Sequence, residues 1–519
     1  MAWEKACEEL ARRTARAREM GGAERVARQH AAGRLTVRER LERLLDPGSF
    51  QEIGALAGQA RYDENGELVG FTPANPVLGL ARIGGLDVVV SGDDFTLRGG
   101  SADASLREKA VMAERLALRF RLPLVRLIEG SGGGGSVKTI ETTGRANLPG
   151  GVGGEDTFAL PIAALQEVPV IALGLGPVAG LGAVRLAASH VSIMTENAAV
   201  FVAGPPVVAR LGRSVDNTTL GGPEIAARAG TVDLVAEDEE AAFALTRRLL
   251  TYFPPHAAAL PPETAPAADP APYLPALREG VPEDPRRVYD MRRLIGLLVD
   301  AGSFLELARA FGRSVIAGLA RIDGLPVMLL AGDPYHYGGA WTAESAEKII
   351  RFVDLARLFH FPVVHLVDCP GFMIGPEAER AGTVRRGARA WAAIAEAVEI
   401  PWCTVIIRNA FGVAGALHQP PGPGALRFAW PSARWGSLPL EGGVEAAYRA
   451  EIEAAPDPEA KRAEIAARLE RLRSPFRTAE AFWIEEIIDP AETRARLIGF
   501  ARLARRVLTP TPPRYRFRP

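Results

Sequence analysis

Hydrophobic and polar positions change period in a fixed order along the first half of the chain. The stretch "PVLGLARIGGLDVVVSGDD" (residues 76–94) holds two apolar runs split by Gly84-Gly85, which predicts a β-hairpin. "SLREKAVMAERLALRFR" (105–121) has apolar residues at helical spacing, with Ser105 as its predicted cap. "LPLVRLIEG" (122–130) reads as a short buried strand closed by glycine, and "VPVIALGLGPVAG" (168–180) as a buried strand entering a glycine-rich turn. The second half repeats the order with "LARIDGLPVMLLAGDP" (319–334), "SAEKIIRFVDLARLFH" (345–360), "FPVVHLVDCPG" (361–371) and "IPWCTVIIRNAFGVAG" (400–415). This alternation predicts an α/β protein, each half built as β-β-α-β with stacked sheets flanked by helices.

The two halves also share residues. Leu80 and Leu319 begin matching stretches, and the offset of 239 holds for Gly100 and Gly339, Glu108-Lys109 and Glu347-Lys348, Pro123 and Pro362, and Gly132 and Gly371. "LDPGSFQEI" (45–53) returns as "VDAGSFLEL" (299–307) at an offset of 254, and Pro169 matches Pro401 at 232, so loops absorb the changes of register. A period of this size is too long for a solenoid and predicts two whole domains of like fold. A chain of 519 residues is also too long for one hydrophobic core. Between the copies, "FPPHAAALPPETAPAADPAPYLPALREGVPEDP" (253–285) is rich in Pro and Ala, which denies it helix and sheet. The expected organisation is a first domain over 1–255, an extended linker over 256–285 and a second domain over 286–519.

Charge and cysteine usage narrow the function. With 61 Lys and Arg against 62 Asp and Glu, no global field favours nucleic acid or an acidic membrane. Cys7, Cys369 and Cys403 are far apart and form no CxxC, which fits a reducing compartment and no zinc site. No apolar run reaches the roughly 18 residues of a membrane span. The stretch "MAWEKACEELARRTARAREM" has neither a signal peptide's apolar core nor the acid-poor composition of a transit peptide. The expected location is the cytoplasm.

Candidate chemistry lies in four glycine-rich loops at predicted strand ends: "SGGGGS" (131–136), "GPVAGLGA" (176–183), "CPGFMIG" (369–375) and "AFGVAGA" (410–416). A Gly/Ala turn leading into a helix leaves backbone N–H groups bare, lets a ligand oxygen approach, and adds the helix dipole. That is the design of an oxyanion hole. One such turn reads most simply as a tight connection, but two at equivalent places in duplicated domains argue for function. No GxxxxGK[ST], no dinucleotide fingerprint, no GxSxG and no HExxH is present. His190, His365 and His418 are isolated and read as packing or surface residues, and Asp93, Asp94 and Asp333 as turn or cap residues. The side chains thus supply little acid or base, and two backbone oxyanion sites remain.

"QHAAGRLTVRERLERLLDPGSFQEIG", "VVVSGDDFTLRGGS", "FVAGPPVV", "LGGPEIAARAGTVD", "YDMRRLIGLLVDAGSFLEL", "DCPGFMIG", "GTVRRGARAW", "FAWPSAR" and "EEIIDPAETRARL" resemble, in order and over almost the whole chain, the carboxyltransferase subunits of biotin-dependent acyl-CoA carboxylases. That family includes propionyl-, acetyl-, methylcrotonyl- and geranyl-CoA carboxylases. The resemblance implies that each half is a crotonase-like β-β-α superhelical domain. It implies carboxyl transfer from carboxybiotin, on a separate carrier protein, to the α (or vinylogous γ) carbon of an acyl-CoA, with biotin as the base. By position, Gly180, Leu181 and Gly182 would hold the thioester oxygen, and Val413 and Ala414 the biotin oxygen. Ser131, Gly132, Gly133, Gly415 and Ala416 would line the substrate site, and Phe411 and Gly412 the biotin site. No metal is implied. A biotin carboxylase and biotin carboxyl carrier would be the partners, since the chain shows no Met-Lys-Met biotinylation site and no ATP-grasp region. The implied assembly is a dimer of trimers, with the first half of one chain facing the second half of another.

The chain departs from the family's usual spelling. Leu181 and Val413 stand where a glycine is usual, and such residues do not readily take positive φ, so displaced turns are expected. "SGGGGS" replaces the usual SGGAR, Ala226 replaces a frequent histidine, and Ala416 occupies the position where propionyl-CoA enzymes carry Asp. The alternatives are a biotin-dependent decarboxylase or transcarboxylase subunit running the chemistry backwards, and a non-catalytic paralogue in a carboxylase complex.

Overall fold

A computed structural model of the chain describes residues 3–101, 106–131, 140–141, 144–146, 156–265, 274–422, 424–438, 440–511 and 516–519. The chain divides into two compact units. The first spans Met1–Ala259 and takes back residues near the carboxyl end, Phe517 among them; the second spans Leu260–Thr511.

In the first unit the strands are β1 (Gln51–Ile53), β2 (Gly58–Tyr62), β3 (Leu68–Pro73), β4 (Pro76–Ile83), β5 (Leu86–Asp93), β6 (Leu124–Gly130), β7 (Val170–Ala179), β8 (Val191–Thr195), β9 (Ala199–Phe201) and β10 (Leu234–Ala236). In the second they are β11 (Leu305–Leu307), β12 (Val315–Ile322), β13 (Leu325–Gly332), β14 (Val363–Cys369), β15 (Trp402–Phe411), β16 (Ala425–Ala429), β17 (Arg434–Gly436) and β18 (Glu486–Ile487). The main sheets run β1-β4-β5-β6-β7-β8-β10 and β11-β12-β13-β14-β15-β16-β18, with β9 on β7 and β17 on β15. Each opens with antiparallel pairs and continues parallel. Even the irregularity repeats: the ladder shifts register between Ile128 and Gly130, and between Val367 and Cys369. The extra ribbon β2–β3 belongs to the first unit.

The glycine-marked hairpin forms as the sequence predicts. Ile83 pairs with Leu86 across Gly84 (φ 58°) and Gly85 (φ 81°), and Ile322 with Leu325 across Asp323 (φ 53°) and Gly324 (φ 80°). Two left-handed residues match the twist of the flanking strands, and Asp tolerates that conformation better than most side chains. The helix expected over 105–121 is broken in two, Arg107–Ala110 and Met112–Phe120, because Val111 leaves helical geometry. Its predicted cap, Ser105, lies outside the described residues. The second copy, Ala343–Leu358, is continuous, with a capping box at Thr342 and Ser345.

Each core sits where helices cover a largely parallel sheet, so strands are buried on both faces. Every residue of β12, β13, β14 and β15 is buried. Side-chain pairing is duplicated too: Arg38 grips Glu52 with both terminal nitrogens at 3.0 and 3.1 Å, and Arg292 grips Glu306 with two nitrogens as well, Nε and Nη2, at 2.8 and 2.6 Å. The segment expected to be an extended linker is partly core. Ala257 is buried and donates to the Glu167 carbonyl at 2.8 Å, and Leu277, in a short 3₁₀ turn (Pro275–Leu277), is wholly buried in the core of the second unit. A leucine in reach of apolar surface packs whatever the proline density around it.

Candidate active site

The two glycine turns close equivalent strands. At the end of β7, Gly180 takes φ 57°, ψ −126° and donates to the carbonyls of Phe201 and Val202, and the helix Leu181–Ala187 starts at once. At the end of β15, Gly412 takes φ 61° and opens the helix Gly412–Ala416 beside β17. Positive φ therefore falls on glycine in both turns. Leu181 and Val413 enter the helices directly and take no positive φ.

The three amides proposed for the first turn are not equivalent. Gly182 donates its N–H to the Ser131 carbonyl at 3.0 Å, and a Cβ there would stand 2.8 Å from the Gly130 carbonyl oxygen. Gly180 spends its N–H on the β9 end. Leu181 is left as the candidate donor, because first-turn N–H groups have no acceptor within their own helix. In this structure the Gly180 and Gly182 N–H groups and the Ser131 carbonyl are therefore engaged in shaping the turn. Gly132 and Gly133 lie outside the described residues.

In the second turn, Val413 is 61% exposed and Ala414 is buried. Gly415 is a glycine for packing, since a Cβ there would run into the Ala410 backbone. Gly412, Val413, Gly415 and Ala416 all line a cleft of about 730 Å³, together with Trp435, Trp483, Leu438 and His418. Phe411, expected at the biotin site, is not among the residues lining this cleft: its ring is buried under the Arg473 guanidinium, 5.5 Å away.

Buried polar groups brace both turns. In the second unit, Asp368 at the end of β14 accepts from Tyr289 Oη (2.8 Å), Arg408 Nε (3.1 Å) and Asn409 Nδ2 (2.8 Å), and Asn409 Oδ1 accepts from Arg434 (2.8 Å). This ties β14, β15 and β17 together just before Gly412. Glu129, at the same place in β6, is held instead by Arg40 (2.6 Å) and Gln29 (2.8 Å), and Arg40 also reaches the Leu175 carbonyl on β7. "DCPG", "PSAR" and "LTVRERLERLL" carried the signal for Asp368, Arg434 and Arg40 as parts of the family-like stretches; nothing in the residue pattern marked Asn409.

Of the three aspartates expected to make turns or caps, Asp94 and Asp333 do so. Asp94 accepts from the N–H and hydroxyl of Thr96, and Asp333 accepts from the Tyr335 N–H and from Arg292. His190 is a core residue, accepting from the Val170 N–H at 2.9 Å and facing the Leu165 carbonyl at 3.0 Å. His365 and His418 are buried beside the second turn. Nδ1 of His365 meets the His418 carbonyl at 3.0 Å, and Nδ1 of His418 meets the Gly415 carbonyl at 2.6 Å. Burial lowers their pKa values to about 3 and about 4, so both rings are neutral at neutral pH. Among the described residues no group of three His, Cys, Asp or Glu side chains could hold a metal ion, and no helix is long and apolar enough to cross a membrane.

A family model described as the carboxyl transferase domain matches residues 28–516. The chain is 34% identical over 483 residues to the methylmalonyl-CoA carboxyltransferase 12S subunit of Propionibacterium freudenreichii subsp. shermanii, covering 92% of this chain and 90% of that one. It is 30% identical to the propionyl-CoA carboxylase carboxyltransferase subunit of Haloferax mediterranei, covering 97% and 96%. The solved structure of transcarboxylase 12S with methylmalonyl-CoA and methylmalonic acid bound superposes with a TM-score of 0.87 at 30% identity, over 97% of this chain and 95% of that one. With a duplicated fold, paired turns and this extent of likeness, the chain belongs to the carboxyl transferase domain family.

Proposed function

We propose that this chain is a biotin-dependent acyl-CoA carboxyltransferase that moves a carboxyl group between biotin, borne by a separate carrier protein, and the α (or vinylogous γ) carbon of an acyl-CoA. The observation that carries the reading is the matched pair of turns, in which Gly180 and Gly412 each launch a helix from the end of the same strand of a duplicated sheet. The first turn would hold the thioester oxygen with the Leu181 N–H and the helix dipole. The second would hold the biotin oxygen with the Val413 and Ala414 N–H groups. One such donor is worth roughly 3–4 kcal/mol of barrier where negative charge develops.

The cleft beside the second turn fits a biotin ring. Trp435 and Trp483 supply indole surface along it, and first-turn N–H groups open onto the same helix end. Carboxybiotin, when bound, supplies both the CO₂ and a ureido nitrogen that serves as base. The chain's own contribution is charge stabilisation, positioning and the exclusion of water, in keeping with neutral, buried His365 and His418. The solved 12S relative is described as a hexamer assembly within a multienzyme core; a hexamer, served by a biotin carboxylase and a biotin carboxyl carrier, is our reading for this chain.

The test is to supply purified carboxybiotin carrier with a panel of acyl-CoAs and look for carboxylated product. No product from any acyl-CoA, and no exchange from methylmalonyl-CoA to biotin, would overturn the reading. The 34% identity to a methylmalonyl-CoA carboxyltransferase subunit favours a second direction, in which a carboxylated acyl-CoA is the donor. The reverse exchange separates the two.

A further inference from the structure

His418 sits one turn beyond the second glycine turn with a polar atom to spare. It is 8% exposed, and its Nε2 is buried without a hydrogen-bond partner among the described residues. A buried polar atom left in this state costs about 1–3 kcal/mol unless something outside the chain satisfies it. The ring lines the cleft of about 730 Å³. Its chemical character is fixed by its other nitrogen. The Gly415 carbonyl, 2.6 Å from Nδ1, can only accept, so Nδ1 carries the proton. Since the ring is neutral, Nε2 presents a lone pair. The His418 carbonyl is also occupied, accepting from His365, Trp402 and Thr404 at 3.0, 2.9 and 2.9 Å, which clamps the residue in place.

Two of the other polar side chains of the cleft have partners within the chain. Trp435 Nε1 donates to Thr478 at 3.1 Å, and Arg427 donates to the Trp483 carbonyl at 3.0 Å while pairing with Glu485. What remains is a set of helix N–H donors with an acceptor one turn away. A cyclic urea carries the complement, a carbonyl oxygen beside an N–H.

We propose that His418 Nε2 accepts a hydrogen bond from the ureido N–H of biotin that does not carry the carboxyl group, making His418 a positioning residue for the ring. This rests on the reading that biotin enters the cleft of the second unit. A leucine has nearly the same bulk but no acceptor, whereas the amide oxygen of glutamine can stand in for Nε2.

The test is an NMR titration of the unliganded chain with biotin methyl ester and with its 3′-N-methyl derivative, which lacks that N–H. For the wild type, the methylated probe should bind about tenfold more weakly, the size of one hydrogen bond with a buried partner. H418L should bind biotin methyl ester about tenfold more weakly and discriminate little between the probes, and H418Q should recover most of the loss. In carboxyl exchange from methylmalonyl-CoA, the H418L defect should sit in KM for biotin methyl ester, with kcat changed less than about threefold. Equal binding of both probes by the wild type, which needs no variant to fold, overturns the proposal, as does wild-type affinity in H418L. Exchange that proceeds in the wild type while either result holds sinks this inference alone. A wild type with no exchange and no carboxylation sinks the reading beneath it as well.

Discussion

Gly180 and Gly412 both take positive φ, 57° and 61°, at the ends of β7 and β15. They are 232 positions apart, the offset that already relates Pro169 to Pro401. Each lets the chain leave a buried strand and begin a helix within one residue, so the helix's unpaired N–H groups stand at the strand end. Leu181 and Val413 need no unusual geometry once the preceding glycine supplies it. One hydrogen bond that sets the first turn apart is the one its Gly182 N–H makes to the Ser131 carbonyl.

That difference predicts which amides matter. Proline removes an N–H yet is tolerated in the first turn of a helix. Leu181→Pro and Ala414→Pro should each slow carboxyl transfer by about two to three orders of magnitude, the size of one oxyanion donor. Stopped assays with acyl-CoA titration should show acyl-CoA affinity hardly changed in Ala414→Pro. Gly182→Ala should instead lose stability, because its Cβ meets the Gly130 carbonyl oxygen. Full activity in Leu181→Pro would remove the first turn from the mechanism.

Acyl selectivity gives a second prediction. Gly415 and Ala416 add almost no volume beside the second turn, and Ala416 lies exposed on the cleft. Longer or bulkier acyl-CoAs should be used better than acetyl-CoA, by the roughly 1–3 kcal/mol that a methylene contributes in an apolar pocket. Ala416→Asp should tilt the ratio back toward short chains. Relative kcat/KM values that do not move would show that residue 416 does not line the acyl pocket.

The fold was legible because the chain states it twice. Matched offsets, the hairpin glycines and buried strands running into Val-Ala-Gly turns define two like units, and a parallel sheet covered by helices leaves apolar runs that are hard to misread. The site was legible only down to the turns. Which amide stays free depends on Ser131 reaching Gly182, and that contact is set by the meeting of β6 and β7, far apart in sequence. The resemblance implies Phe411 at the biotin site; the alternation of a strand sends its ring under Arg473. His418 looked like ordinary packing, and half of that is right: Nδ1 and the carbonyl pack, while Nε2 remains unpaired.

Assembly is a third prediction. A 12S relative matched at a TM-score of 0.87 is described as a hexamer, and this chain should elute with a mass six times its own in size exclusion coupled to light scattering. A monodisperse monomer at micromolar concentration would defeat the hexamer and the site built on it.

The last prediction concerns protons. Burial lowers the pKa of His365 to about 3, from 6.5 in an exposed ring. As pH falls below 6.5 the unfolded chain takes up a proton there and the folded chain does not, so His365 withdraws stability as pH drops toward 4, by about 1.4 kcal/mol per unit. Asp354, raised to about 6 by burial, works in the opposite sense over part of that range, so the wild-type curve alone does not isolate the effect. The difference between wild type and His365→Gln does. Followed by urea unfolding of the second unit, that difference should shrink by about 2 kcal/mol between pH 7.5 and pH 5. A constant difference would mean that His365 is not buried neutral. The same variant should keep the chemical step within about tenfold at pH 7.5, because the base comes with biotin. Loss of activity by several orders with folding intact would show that the chain supplies an acid or base through His365, and the mechanism built on backbone amides would fail.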